Sequence, residues 1–175
     1  LGAQHPEIDS VSKAFFDRGW QGVHVEPVPH YANLLREARP GDRVIEAAVS
    51  SRVGHTTIMV FPDTGLSTTV PDIAADHVGA GMSAPEAGLP VPTVTLASIA
   101  EELGECEVHW LKIDVEGLEK EVLQGWDPAS LRPWLVVVES TLPNSAQSTH
   151  AEWEYLLTEA NYVHVYSDGL NRFYA

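Results

Sequence analysis

VHWLKIDVEGLEKEVLQ, residues 108–124, decides how the rest of the chain is read. Val108, Trp110, Leu111 and Ile113 form the apolar run of a buried strand, and Asp114 is the first carboxylate after it. Gly117 supplies a flexible corner, and Leu118, Val122 and Leu123 then recur at the spacing of one helical face. A strand therefore ends and a helix begins between Asp114 and Gly117. In an open α/β sheet, ligands bind in the crevice beyond the carboxyl ends of the strands, so Asp114 and Glu116 are the first site candidates.

The same alternation extends in both directions. Leu1 to Pro6 reads as the end of a strand and a loop, and Ile8, Val11, Ala14, Phe15 and Arg18 follow at helical spacing up to Gly19. The amides of such a loop can face an anionic ligand at a helix N-terminus. Gly22 to Pro27 is a β-branched strand closed by Glu26, and Tyr31, Leu34, Leu35 and Ala38 make a helical face before Pro40-Gly41. A strand-end acid at Glu26 can accept hydrogen bonds from both hydroxyls of a ribose, or it can simply meet solvent. Arg43 to Ser50 reads as a third strand, whose small residues would let a flat ring approach the backbone. Thr56 to Phe61 is a further strand after a turn at Gly54-His55.

From Pro62 to Pro92 the periodicity disappears. Glycines 65, 79, 81 and 88 and prolines 62, 71, 85, 90 and 92 mark a long irregular segment, read as a lid-like insertion over the site or as a plain surface loop. Val94 to Leu96 resembles a short strand, and Leu96, Ile99, Ala100 and Leu103 give a helix stopped by Gly104. Leu135 to Glu139 is the purest buried-strand run in the chain and again ends in an acid. Trp153, Leu156, Leu157 and Ala160 make the last helical face. Tyr162–Tyr166 and Arg172–Tyr174 are closing strands around Asp168-Gly169, and such a pair is most simply an antiparallel edge added to a parallel sheet.

Strand and helix in repeated succession are the signature of a doubly wound α/β sheet, here expected as a single domain over residues 1–175. Glu26, Asp114 and Glu139 sit at three strand ends, and parallel strands would bring them to one edge as one pocket. Such a trio can supply a general base, hold a divalent cation such as Mg²⁺ through oxygen ligands, or bind cofactor hydroxyls. Neither a Gly-x-Ser-x-Gly elbow nor a P-loop sequence is present, which sets aside serine-hydrolase and nucleotide-triphosphatase chemistry.

Bulk properties narrow the classes further. Ten basic against 25 acidic residues give a formal charge of −15, unsuited to tracking a nucleic-acid backbone or an anionic membrane. No apolar run approaches the roughly 18 residues of a membrane span. Cys106 is the only cysteine, which excludes an intramolecular disulfide and fits a cytoplasmic setting. The eight histidines lack metal-ligand spacing. His5 alone stands out as a proton acceptor to test, and the five tryptophans read as core or edge packing.

Taken together, the stretches Gly2-Ala3, GWQGVHVEP (19–27), AAVSS (47–51), LST (66–68), LKIDVEGLEKEVLQG (111–125), VVVEST (136–141) and YSDGLNRFY (166–174) resemble the FkbM-type S-adenosylmethionine-dependent methyltransferases. The resemblance implies a class I methyltransferase (Rossmann-like) fold, an α/β seven-stranded sheet with an antiparallel last strand, its first strand truncated before Gly2. It implies that Gly2 and Ala3 belong to the glycine loop beneath the methionine part of the cofactor. Glu26, followed by Pro27, would take the ribose, and Ala47, Ala48 and Val49 would lie beside the adenine. Asp114 would be the acid nearest the transferred methyl and the catalytic base, with Glu139 a second site acid. Glu116 retreats toward a helix-start role, where the macrodipole favours an acid. Asp114 also has a simpler reading as a helix N-cap.

The implied activity is methyl transfer from S-adenosylmethionine to a hydroxyl of a small-molecule acceptor, a sugar or polyketide-like secondary metabolite, with a divalent metal such as Mg²⁺ an open accessory. Two rivals stand beside it. One is a catalytically inactive methyltransferase-like binding module, the other a nucleotide-cofactor oxidoreductase, for which the full glycine fingerprint is not visible.

Overall fold

The computed structural model describes residues 1–175 except positions 63, 65, 143 and 144. The chain divides into two compact units, residues 1–48 with 55–93, and residues 49–54 with 94–175. No helix among the described residues is long and apolar enough to cross a membrane.

In the first unit, α1 (Lys13–Phe16), β1 (Val23–Val25), α2 (Pro29–Ala38) and β2 (Arg43–Ile45) follow in order. β1 and β2 pair in parallel, Val25 opposite Ile45, and the Glu26 amide continues the ladder by donating to the Ile45 carbonyl at 3.0 Å. Helix α2 opens on Pro29, whose fixed φ suits a first turn, and buries Tyr31, Ala32 and Leu35 on one side. Val28, Tyr31, Ala48, Ile58, Val60 and Val91 form an apolar cluster. Full burial of each large side chain is worth about 1.5–3 kcal/mol.

A buried guanidinium organises the start of this unit. Arg39, 2 % exposed, donates to the Pro6 carbonyl, to Ser10 Oγ at 2.7 Å and to Ser12 Oγ, and lies beside His24, whose Nε2 is 2.8 Å from Asp42. The segment from Pro6 to Ser12 is thus fastened to β1 and α2 by polar bonds rather than by apolar packing. That explains why α1 has only four residues and buries none of them, against the longer helix expected from Ile8 to Arg18. Asp9 has φ +51°, which breaks the helical path, and Ile8 and Val11 remain exposed.

The expected third strand is two, β2 and β3 (Ala48–Val49), and Gly54-His55 opens β4 (Gly54–Ile58) instead of forming a turn. Pro62 to Pro92 is not structureless. It contains α3 (Pro71–Gly79), begun by Pro71 at its first position, and most of β5 (Leu89–Val94). Only Ala74 and His77 of α3 are buried, too short an apolar stripe to register as periodicity. Positions 63 and 65 of that stretch lie outside the described residues. The strand order β3-β5-β4 makes a three-stranded sheet.

In the second unit, α4 (Leu96–Leu103) starts with a capping box. Thr95 accepts from the Ser98 amide and Ser98 Oγ from the Thr95 amide, both at 3.0 Å. Then come β6 (Trp110–Ile113), α5 (Glu119–Gln124), β7 (Leu135–Glu139), a 3₁₀ turn (His150–Glu152), α6 (Glu154–Glu159), β8 (His164–Ser167) and β9 (Asn171–Tyr174). The sheet order is β6-β7-β9-β8, with β6 and β7 parallel and β9 antiparallel to both β7 and β8. The closing pair is the antiparallel addition expected, with the last strand inserted inside the edge strand. Val136, Val138, Ile113, Leu157, Trp153 and Tyr174 are almost wholly buried here. Trp126 and Trp153 are buried, whereas Trp20 and Trp134 are exposed.

The strands fall into sheets of two, three and four rather than one sheet of seven. The α/β class stands, and the seven-stranded count is not reproduced.

Gly125 joins α5 to the start of α4, its carbonyl accepting from the Ala97 amide at 3.0 Å. A Cβ there would meet the Ser50 carbonyl oxygen at 2.5 Å and Ser51 Cα at 3.0 Å, both backbone atoms. Its φ of −89° suits any residue, so the constraint is steric. Gly125→Ala is expected to lower stability by about 1–3 kcal/mol, the usual range for overpacking, read from the chemical-denaturation midpoint.

Candidate active site

The register of the β6–β7 pair builds the site. Ile113 lies opposite Val138, so one step further the chain sets Asp114 against Glu139. Across β7 the antiparallel register sets Asn171 against Glu139. Three polar side chains thus share one end of the sheet. Because side chains two apart on a strand share a face, Lys112 falls on the same side as Asp114. Lys112 Nζ is 2.7 Å from Asp114 Oδ2 and donates to Asn171 Oδ1 at 2.9 Å.

The turn after β6 adds a third carboxyl. Glu116 and Gly117 have φ of +54° and +97°, successive left-handed residues before a helix that begins only at Glu119. That conformation suits glycine but costs a β-carbon-bearing residue about 1–3 kcal/mol. Glu119 supports it: its buried Oε1 accepts from the Val115 amide at 3.2 Å and the Gly117 amide at 3.3 Å. The turn therefore carries Glu116 toward Asp114 and Glu139, and one oxygen from each of the three lies within 4.8 Å of the others.

This corrects two expectations. Glu116 is not a first-turn helix acid, since it stands outside α5. Asp114 is not the N-cap either. Leu118 occupies that position without a side-chain hydrogen bond.

Crowded carboxyls in a partly buried place hold protons tightly. Burial, reinforced by the Asp114 charge and then by Glu119, pushes Glu116 up to about 8. Burial also holds Glu139 well above the carboxylate range, aided by the Asp114 charge and a hydrogen bond to Asp114. Burial raises Glu119 too, against the pull of the amides it accepts. Lys112 Nζ meets Asp114 Oδ2 at 2.7 Å, while burial raises Glu116, Glu119 and Glu139. A carboxylate at a strand end, held by a lysine and beside acids that retain their protons, can accept a proton from a hydroxyl. Asp114, Glu116 and Glu139 are also the residues that could hold one divalent cation, though Lys112 already meets Asp114 Oδ2.

The other expected site residues lie in the first unit or at its edge. Glu26 follows β1 and is 4 % exposed. Its Oε2 accepts from the Gln4 amide and its Oε1 from the Val28 amide, each at 2.8 Å. Burial raises its pKa, opposed by those two amides. Gly2 and Ala3 turn their amides onto the Val25 carbonyl at 3.0 and 3.3 Å. The Gly2–Gln4 loop therefore spends its donors on the end of β1 and Glu26, where the sequence suggested amides facing an anion. Pro27 is half-buried. Ala47, Ala48 and Val49 are buried, with Ala48 in the apolar cluster. Of the acids placed at strand ends, Asp114 and Glu139 are brought together and Glu26 belongs to the other unit. His5 Nδ1 accepts from the Glu7 and Ile8 amides, a local turn role.

The family described as Methyltransferase FkbM domain matches residues 1–163 of the 175. The chain belongs to the FkbM methyltransferase family. No curated protein and no solved structure matches it. In this FkbM methyltransferase the match takes in every acid of the cluster and stops before β8 and β9, so Asn171 lies beyond it.

Lys112, Glu119 and Asn171 escaped the sequence reading. Lys112 carries a usable signal, a cation two residues before a strand-end acid on the same face. Asn171 carries none until the β7–β9 register is known.

The raised acids give a signed prediction. The ordinary glutamate value is 4.5, so between there and about 8 the folded protein keeps a proton on Glu116 that the unfolded chain has lost. The folded state binds more protons in that window, so stability falls as pH rises through it and is retained below it. The melting temperature is expected to decline from about pH 4.5 to about pH 8, and Glu116→Gln, which cannot ionise, to flatten that decline.

Proposed function

We propose that this FkbM methyltransferase transfers the methyl group of S-adenosylmethionine to a hydroxyl oxygen of a small molecule, a sugar or a polyketide-like secondary metabolite. The observation that carries the reading is the convergence of Asp114 with Glu116 and Glu139 at the end of a parallel strand pair in a methyltransferase domain. The acceptor class follows from the family resemblance.

The cofactor, when bound, supplies a methyl group on a positively charged sulfur. Glu26 is suited to its ribose. Each carboxylate oxygen has two acceptor positions, and each accepts one backbone amide, which leaves one acceptor position per oxygen for a hydroxyl. The backbone bonds to Gln4 and Val28 fix the orientation of that carboxylate in advance.

At the acid cluster, Asp114 takes the proton of the acceptor hydroxyl as the oxygen becomes nucleophilic. Lys112 keeps the Asp114 charge and position, and Glu119 holds the turn that brings Glu116 alongside. Protonated Glu116 and Glu139 can donate hydrogen bonds to the acceptor or to Asp114, orienting the hydroxyl. Because alignment does most of the work in a direct displacement, rigid mounting on two strand ends matters as much as basicity.

Calorimetric titration with S-adenosylmethionine and with NAD tests the cofactor: heat is expected with the first alone. Glu26→Gln is expected to weaken S-adenosylmethionine binding about tenfold, the scale of a hydrogen bond to a charged group. Mass spectrometry across a panel of glycosides and polyketide alcohols should detect the gain of one methylene in a product. Asp114→Asn is expected to keep cofactor binding and to lower kcat by about 10²–10⁴, the range of general-base catalysis. Unaltered turnover would remove Asp114 from that role, and cofactor binding without turnover on any acceptor would return the chain to a non-catalytic module. A chelator is expected to leave turnover unchanged. Loss of activity restored by Mg²⁺ would assign the three carboxylates to a cation instead.

A further inference from the structure

The C-terminal hairpin reaches the acid cluster through a continuous chain of polar contacts. In the turn between β8 and β9, Asp168 Oδ1 accepts from the Leu170 amide at 2.9 Å and the Asn171 amide at 2.6 Å. The Asn171 side-chain NH₂ donates back to Asp168, at 3.1 Å to Oδ2 and 3.4 Å to Oδ1. With its NH₂ committed there, the amide oxygen of Asn171 is turned to Lys112, 2.9 Å away. Lys112 in turn lies 2.7 Å from Asp114 Oδ2.

We infer that Lys112 and Asn171 are positioning residues for the reaction, with the hairpin turn acting through the lysine to fix the carboxylate of Asp114. The inference rests on the reading of Asp114 as the base in the proposed function. Three features support it beyond the distances. The Lys112 side chain is only 12 % exposed, so its ammonium depends on fixed partners rather than on water. A lysine stem has four rotatable carbons and a point charge, and on its own it would not set the direction of a carboxylate. A second anchor on a different strand removes that freedom. Finally, Asn171 stands opposite Glu139 in the sheet, so the anchor is held by the same ladder that places the second acid.

The arrangement also separates two jobs in the cluster. Glu119 fixes Glu116 from the helix side through backbone amides. Asn171 fixes Asp114 from the hairpin side through Lys112. The acids are therefore positioned independently, and the hairpin contribution comes from residues beyond the family match.

The test is a double-mutant cycle on the full chain, using whichever glycoside or polyketide alcohol of the panel is methylated. Lys112→Met is expected to lower kcat about 100-fold, the scale of a misplaced catalytic group, and Asn171→Ala about tenfold. Acceptor KM and the S-adenosylmethionine dissociation constant should stay within about twofold, because neither residue is assigned to binding. Lys112→Arg, which keeps the cation, should retain more turnover than Lys112→Met. In the Lys112→Met background, Asn171→Ala should have no further effect, since the asparagine acts only through the lysine. Additive effects, or wild-type kcat for a folded Asn171→Ala, would overturn the inference. Should Lys112→Met fail to fold, Asn171→Ala alone decides it through the kcat-against-KM split.

Asp114→Asn keeps the two readings apart. If it retains turnover, the base assignment fails. If it loses turnover while Asn171→Ala is silent, only the positioning inference fails. Should no acceptor be methylated, a crystal structure of Asn171→Ala decides the geometry: Lys112 Nζ leaving Asp114 supports the inference, and an unmoved pair refutes it.

Discussion

Parallel pairing of β6 with β7 is the constraint from which the rest of the second unit follows. The two strands are aligned so that the residue ending each apolar run is acidic, and the ladder gives those acids no freedom to avoid one another. Leu135 to Val138 is apolar and largely buried, which makes the register stiff: a slip by one residue would turn the buried set to the opposite face. The hydrophobic energy of this strand pair therefore maintains an electrostatically unfavourable contact between carboxyls. The strain is relieved by protonation of the glutamates and by one lysine.

The first unit uses a different economy. Its N-terminal segment makes few apolar contacts and is tied down through the single guanidinium of Arg39, which satisfies a carbonyl and two hydroxyls that lie far from it in sequence. Loss of one partner in such a buried network leaves a polar group unsatisfied, which typically costs about 1–3 kcal/mol. The Gly2–Gln4 loop that clamps Glu26 is continuous with this segment. The orientation of the Glu26 carboxylate is thereby coupled to a residue at the far end of α2.

Legibility in the sequence followed the physical range of each interaction. β7 was visible almost to the residue, because an uninterrupted β-branched run with no helical alternative has one reading. Asp114 and Glu139 were visible as acids terminating apolar runs. Glu116 was misread because Leu118, Val122 and Leu123 suggest a helix already under way, while the two left-handed residues that delay it are set by backbone geometry and by Glu119. Helix α1 was overdrawn for the converse reason: Ile8 and Val11 have helical spacing, but the left-handed Asp9 interrupts the path. Helix α3 was missed because two buried side chains make no periodic pattern. Lys112 with Asn171, 59 positions apart, meets only through strand pairing, which residue-by-residue reading does not supply.

The interdigitated order of the last four strands bears on how this chain tolerates changes in length. Between Gly125 and Trp134, Trp126, Leu131 and Pro133 are buried and the Trp134 amide already donates to the Val108 carbonyl, so residues can be added or removed only in the exposed turn over 127–130 without moving either end of the β6–β7 ladder. A single deletion inside Leu135–Glu139, or inside Asn171–Tyr174, would instead invert every side chain beyond it and point the acid or its amide neighbour into the opposite face. Length variation among natural descendants of this sequence should therefore collect in the connection after α5 and stop abruptly at the strand ends, a pattern of gaps set by the pleat of a sheet and independent of any particular side chain.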